Sequence, residues 1–126
     1  MSDRQERVVL SLIERVCAGD NDGVLSLFAP NASYRVNAWG EPLVGVDAIA
    51  KDFDRQHALW SDPRIEVLNV ASTANVVFIE RIDTVHMMGR DVAAHMAGVF
   101  ELDDNDRILS WRDYFDMKEI ESQLGG

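Results

Sequence analysis

Apolar residues recur at helical spacing along the first half of the chain and at alternating spacing along the second. Val9, Leu12, Ile13, Val16 and Cys17 fall on one stripe at intervals of three and four, which predicts a helix over residues 4–18. Asp20 or Asn21 can cap a second, short helix that carries Val24, Leu25 and Phe28 and is stopped by Pro30. Residues 33–39 read as a first strand. Gly45 to about Trp60 reads as a third helix, with Asp47 near its start and Ile49, Phe53 and His57 as its inner stripe. From Arg64 onward the character changes. Segments at 64–72, 75–88, 91–102 and 106–116 are rich in Val, Ile and aromatic residues and read as strands. Ser72-Thr73-Ala74-Asn75, Gly89-Arg90 and Asp103-Asp104-Asn105-Asp106 separate them as hairpin connections. A last helix is expected from Lys118 to Leu124, ended by Gly125.

Helices first and a meander afterwards predict an α+β fold, with the helices packed on one face of a curved sheet and a pocket between the layers. A chain of 126 residues is expected to form a single domain, residues 1–126. Its net charge of −10 argues against nucleic acid or an anionic membrane surface as a partner, because both need basic surface. No apolar run approaches the ~20 residues of a membrane span. Met1 to Arg7 lacks the apolar stretch of a signal peptide, and the single cysteine, Cys17, is expected to be a small core residue of a cytoplasmic protein.

The chemistry lies in two stretches near the C-terminal end: Glu80-Arg81-Ile82-Asp83 and Trp111-Arg112-Asp113-Tyr114-Phe115-Asp116. Side chains alternate along a strand, so Arg81 and Asp83 share a face with Val77, Ile79 and Val85. Asp113 likewise shares a face with Leu109, Trp111 and Phe115. Charges on apolar faces are costly unless they pair. One reading is a salt-bridge network that holds strand register. The other is an Asp-Arg-Asp cluster on the floor of an apolar pocket, where one carboxylate accepts a proton and the other donates one. His57, His86 and His95 show no metal spacing, Ser61, Ser72 and Ser110 have no nucleophile-elbow context, and no Gly-rich phosphate loop is present. No cofactor or metal is therefore expected.

The run Glu80 to Asp83, followed by Gly98-Val99-Phe100 and then Trp111 to Asp116, resembles the limonene-1,2-epoxide hydrolases. The resemblance covers roughly residues 76–121. It implies a nuclear transport factor 2-like cone, with a strongly curved, mixed or antiparallel sheet and N-terminal helices around a deep apolar pocket, usually as a homodimer. It also implies roles: Asp113 activates water, Asp83 protonates the epoxide oxygen, and Arg81 bridges the two. The family uses a Tyr and an Asn on its first strand to hold the water. Tyr34 and Asn37 are the candidates here, spaced by three residues where the family spaces them by two, so convergence would need a β-bulge. Val85, Met96, Leu109, Trp111 and Phe115 are the expected lining. The implied activity is hydrolysis of a small lipophilic, cyclic or terpene-like epoxide to a vicinal diol, with water as co-substrate. An isomerase or polyketide-cyclase-like enzyme of the same fold, or a non-catalytic binding or dimerisation module, remain the alternatives.

Overall fold

The structure, a computed structural model, describes residues 2–125. The first apolar stripe forms α1 (Ser2–Cys17) and buries Val9, Leu12 and Ile13, while Cys17 at its end is exposed rather than in the core. α2 (Asn21–Leu25) is a single short helix whose Asp20 cap accepts from the Gly23 N–H at 2.9 Å. Phe28 and Pro30 do not belong to it. They open β1 (Phe28–Arg35), because the carbonyl of Leu27 and the backbone of Phe28 are taken up by Ile108 on a neighbouring strand. Pro30, which lacks an N–H, falls where the ladder register shifts between Phe28 and Ser33. The strand expected at 33–39 thus begins earlier and ends at Arg35. A two-residue strand, β2 (Leu43–Val44), pairs with it.

α3 (Val46–His57) is followed by four long strands, β3 (Ser61–Thr73), β4 (Val76–Met87), β5 (Arg90–Leu102) and β6 (Ile108–Phe115), and then by α4 (Met117–Gln123). The hairpins fall close to the expected turns, but the second is Met88-Gly89 rather than Gly89-Arg90, because Arg90 already pairs with Met87. Met88 and Gly89 both take positive φ, 52° and 80°, the geometry of a tight two-residue turn between paired strands. The six strands form one curved, open sheet in the order β2-β1-β6-β5-β4-β3. Every pairing is antiparallel except β1 with β6, so the sheet is mixed. α1 packs on β3 and β4, and α3 on β1. The core between them includes Leu12, Ile49, Phe53, Ile79, Phe100 and Ile108.

Register decides which side chains meet on the inner face. Three rows run across β4, β5 and β6: Val77–Phe100–Trp111, Ile79–Gly98–Asp113 and Arg81–Met96–Phe115. The last regular pairs are Glu101 with Ser110 and Leu102 with Ile108, so Leu109 is an extra residue in β6. This bulge reverses the alternation: Ile108 is fully buried and Leu109 turns outward. Among the described residues no helix is long and apolar enough to cross a membrane.

Candidate active site

Arg81 is only 2% exposed, as buried as the core leucines. Its guanidinium binds two carboxylates. Nε donates to Asp83 Oδ1 at 2.8 Å, Nη1 to Asp113 Oδ1 at 3.0 Å, and Nη2 to Asp113 Oδ2 at 2.8 Å. The contact with Asp113 is a two-pronged fork, the geometry in which arginine holds a carboxylate most firmly. Trp111 adds a third donor to Asp113, with its indole N–H 2.8 Å from Oδ1. Met96 Sδ, 3.4 Å from Nη2, closes the arginine's other flank.

β4 and β6 are not neighbours; β5 runs between them. Arg81 reaches Asp113 because the residue it must cross is Gly98. A Cβ there would lie 2.6 Å from Arg81 Nη1 and 3.1 Å from Asp113 Oδ1. The missing side chain is the space through which the ion pair forms.

These groups sit against a cavity of about 340 Å³. Its walls are apolar, with Ile13 and Val16 from α1, Ile65 from β3, Val85, Val92 and Phe115 from the sheet, and Met117 and Ile120 from α4. Polar side chains facing it are Tyr34, Arg55, Gln56, Arg81, Asp83 and Asp113. Tyr34 is held between rings, stacked on Trp111 at 4.5 Å and edge-on to Phe53 at 6.0 Å.

Burial pushes the Asp83 carboxyl above its usual range, and the charge and hydrogen bond of Arg81 recover only part of the shift. Burial also opposes the charge on Arg81, but Asp113 and Asp83 together outweigh it, so the guanidinium is more firmly protonated than usual. Tyr34 is pushed well above the normal tyrosine range, first by burial and then by the nearby charge of Asp113, so its hydroxyl keeps its proton. Asp113 accepts from three N–H groups, an arrangement that a carboxylate satisfies because it is acceptor-only. Two of the three bonds end on Oδ1, which leaves an accepting position on Oδ2. Asp83 is bonded through Oδ1, which leaves Oδ2 as the natural seat for a proton. The pocket therefore holds two carboxyl groups, each with an oxygen left over, on either side of one cation.

The family model of the limonene-1,2-epoxide hydrolase catalytic domain matches residues 5–125. The chain belongs to the limonene-1,2-epoxide hydrolase family. It is 25% identical to an LEH-like epoxide hydrolase from M. tuberculosis, with a TM-score of 0.83 over 95% of this chain and 88% of that one. Two more distant likenesses concern the fold alone. A protein described as a SnoaL-like polyketide cyclase from Shewanella denitrificans is 14% identical, with a TM-score of 0.87 over 96% of both chains. SalBIII, an epoxide hydrolase/cyclase-like enzyme of pyran ring formation in the polyether salinomycin, is 18% identical, with a TM-score of 0.85 over 94% of this chain and 95% of that one. The fold is the nuclear transport factor 2-like cone.

Within this member of the limonene-1,2-epoxide hydrolase family, the cavity brings together Tyr34, Arg81, Asp83 and Asp113, with Val85, Met96, Trp111 and Phe115 on its walls. Asn37 is not brought there. The chain leaves β1 at Arg35 and turns, so that Asn37 Oδ1 accepts from the Trp39 N–H at 3.0 Å and its carbonyl from Gly40 at 2.8 Å. Val36, the residue before it, lines the cavity instead. Leu109 is also outside, because of the bulge in β6. The inner stripe of α3 differs from the expected one: Ile49, Asp52 and Phe53 are buried, Gln56 faces the cavity, and His57 is exposed beside Asn21 and Trp60. Asp52 and Gln56 had no role in the sequence reading, and Gly98 entered it only as part of the run that carries the resemblance. Asp52 and Gln56 carried a usable signal, being polar residues three and seven positions after Ile49 on a core-facing stripe.

Proposed function

We propose that this protein hydrolyses a small lipophilic, cyclic or terpene-like epoxide to a vicinal diol by one-step general acid–base catalysis. The observation that carries the reading is the buried chain Asp83–Arg81–Asp113 against an apolar cavity, in a member of this family. Asp113 is the base. A water hydrogen-bonded at Oδ2 gives up a proton as its oxygen attacks a ring carbon, and the electron pair of the breaking C–O bond passes to the epoxide oxygen. Asp83 is the acid, protonating that oxygen from Oδ2 as the ring opens. Tyr34, which keeps its proton, donates a hydrogen bond to the water oxygen, and Arg81 keeps both carboxylates in place. After one turnover Asp113 has gained a proton and Asp83 has lost one. The cycle closes when Asp113 gives up its proton and Asp83 takes one up, and Asp83, a fifth exposed in its side chain, is the member that meets solvent.

The lining supports the substrate class. A cavity of about 340 Å³ is at the small end of ligand pockets, and walls of Val, Ile, Met and Phe favour a compact hydrocarbon. The homodimer and cytoplasmic setting belong to the same proposal. For the former, the outer sheet face exposes Phe78 and Tyr114, with Trp39 edge-on to Tyr114 at 6.2 Å.

The test is chromatographic detection of diol from limonene-1,2-epoxide and cyclohexene oxide, with the wild type and Asp113→Asn in parallel. Diol from the wild type and almost none from the folded variant is the expected result. A folded wild type that forms no diol from a panel of such epoxides would turn the assignment towards an isomerase, a cyclase or a binding module.

A further inference from the structure

Gln56 occupies a place in the cavity that packing alone does not account for. It faces the lumen from α3, lies near enough to the Tyr34 hydroxyl to lower its pKa, and is tied from behind by its Nε2, which donates to Asp52 Oδ2 at 2.6 Å. Asp52 is only 8% exposed and is itself fixed by Arg55, whose Nε and Nη2 lie 3.2 and 2.6 Å from Oδ1. Two polar groups on the inner stripe of an otherwise apolar helix face are costly to bury unless satisfied, and here each satisfies the other.

The anchoring fixes which end of the amide faces which way. A carboxylate only accepts, so Gln56 must turn its nitrogen towards Asp52. The carbonyl Oε1 and the second amide N–H are then left for Tyr34 and the cavity. The Tyr34 ring cannot swing away, being clamped between Trp111 and Phe53. Gln56 and Tyr34 line the same cavity as Asp113. A water poised for attack needs two acceptors for its protons and one donor to its oxygen, with the remaining lone pair aimed at carbon. Asp113 and Tyr34 supply only one of each.

We propose that Gln56, oriented by Asp52 and Arg55, is the second acceptor that holds the nucleophilic water between Asp113 and Tyr34. The inference rests on the hydrolase reading and names a water-positioning residue of that same site. Removing the acceptor leaves the cavity and the acid–base pair intact but lets the water wander, and misplacement on the order of 1 Å costs about 10²-fold in rate.

Two readouts test it. The first is a high-resolution crystal structure of the wild type, which should show a water within hydrogen-bond distance of Gln56 Oε1, Tyr34 Oη and Asp113 Oδ2. A water held by Asp113 and Tyr34 without Gln56, or no ordered water at Asp113, overturns the proposal whether or not any epoxide is turned over. The second is kinetic. Gln56→Met, which keeps the bulk, should lower kcat by about 10²-fold with KM within about twofold and the melting temperature near that of wild type. Asp52→Asn leaves Gln56 in place but lets its amide turn over, and should lower kcat several-fold with KM again unchanged. A folded Gln56→Met with wild-type kcat, or losses that fall on KM alone, overturn the role. A wild type without diol formation counts against the hydrolase reading, and the water's partners then decide this inference by themselves.

Discussion

Arg81 lies over Gly98 so closely that a methyl group on that residue would sit 2.6 Å from Nη1. No carbon–nitrogen contact of that length survives, so Gly98→Ala must push the guanidinium aside. Its pinned, buried position gives it little room to move. We expect a loss of stability of about 1–3 kcal/mol, the usual cost of overpacking, and a larger proportional loss of activity as the fork to Asp113 opens. Thermal unfolding together with kcat for diol formation checks both.

Asp113→Asn keeps the shape of the side chain and an acceptor oxygen, but replaces the other oxygen with a donor that faces Arg81 or the water. It should reduce diol formation by at least ~10²-fold. The protein should still fold, at some cost in stability, because Arg81 keeps its hydrogen bond to Asp83 Oδ1 and an acceptor oxygen at position 113. Circular dichroism and unfolding on the same preparation separate lost chemistry from lost structure.

The raised Asp83 pKa makes two predictions about pH, and both have the same sign. As the acid, Asp83 must carry a proton, so kcat should fall as pH rises through its raised value; Asp83→Asn should remove that limb along with most of the activity. For stability, a carboxyl whose folded pKa lies above 3.8 holds a proton that the unfolded chain has released. Its contribution is complete below pH 3.8 and is lost as pH climbs through the raised value. The difference in unfolding free energy between wild type and Asp83→Asn, measured across that window, should shift against the wild type as pH rises. A wild-type kcat that rises with pH across the window would count against Asp83 as the acid.

The bulge in β6 distinguishes two apolar residues that a regular strand would treat alike. Leu109→Ala should leave KM for the epoxide within about twofold, because Leu109 points out of the cavity. Phe115→Ala removes a wall and should weaken binding by up to about 1.5–3 kcal/mol, the value of fully burying one large apolar side chain. Steady-state kinetics on the two variants, with one substrate, is sufficient.

Much of this architecture is legible in the order of residues. Period-two patterning located four of the long strands, and turn residues located their hairpins, because a strand with one buried face has few alternatives. The same alternation placed Arg81 and Asp83 together, and charge on an apolar face marked them for a cluster. Alternation failed where the backbone is irregular. Phe28 reads as helix until Ile108 is seen to pair with it, and Leu109 reads as inward until the extra residue in β6 is seen.

Local pattern thus determined the α+β class, the strand faces and the two halves of the Asp-Arg-Asp cluster, since each follows from side-chain period and the cost of burying charge. It could not determine that Gly98 is the gap through which the halves join, that Asn37 ends in a turn, or that Gln56 comes to Tyr34. Those depend on which strand lies between which, and on how α3 is set down on β1. Contacts between residues tens of positions apart are decided by register and packing, and a linear pattern carries no measure of either.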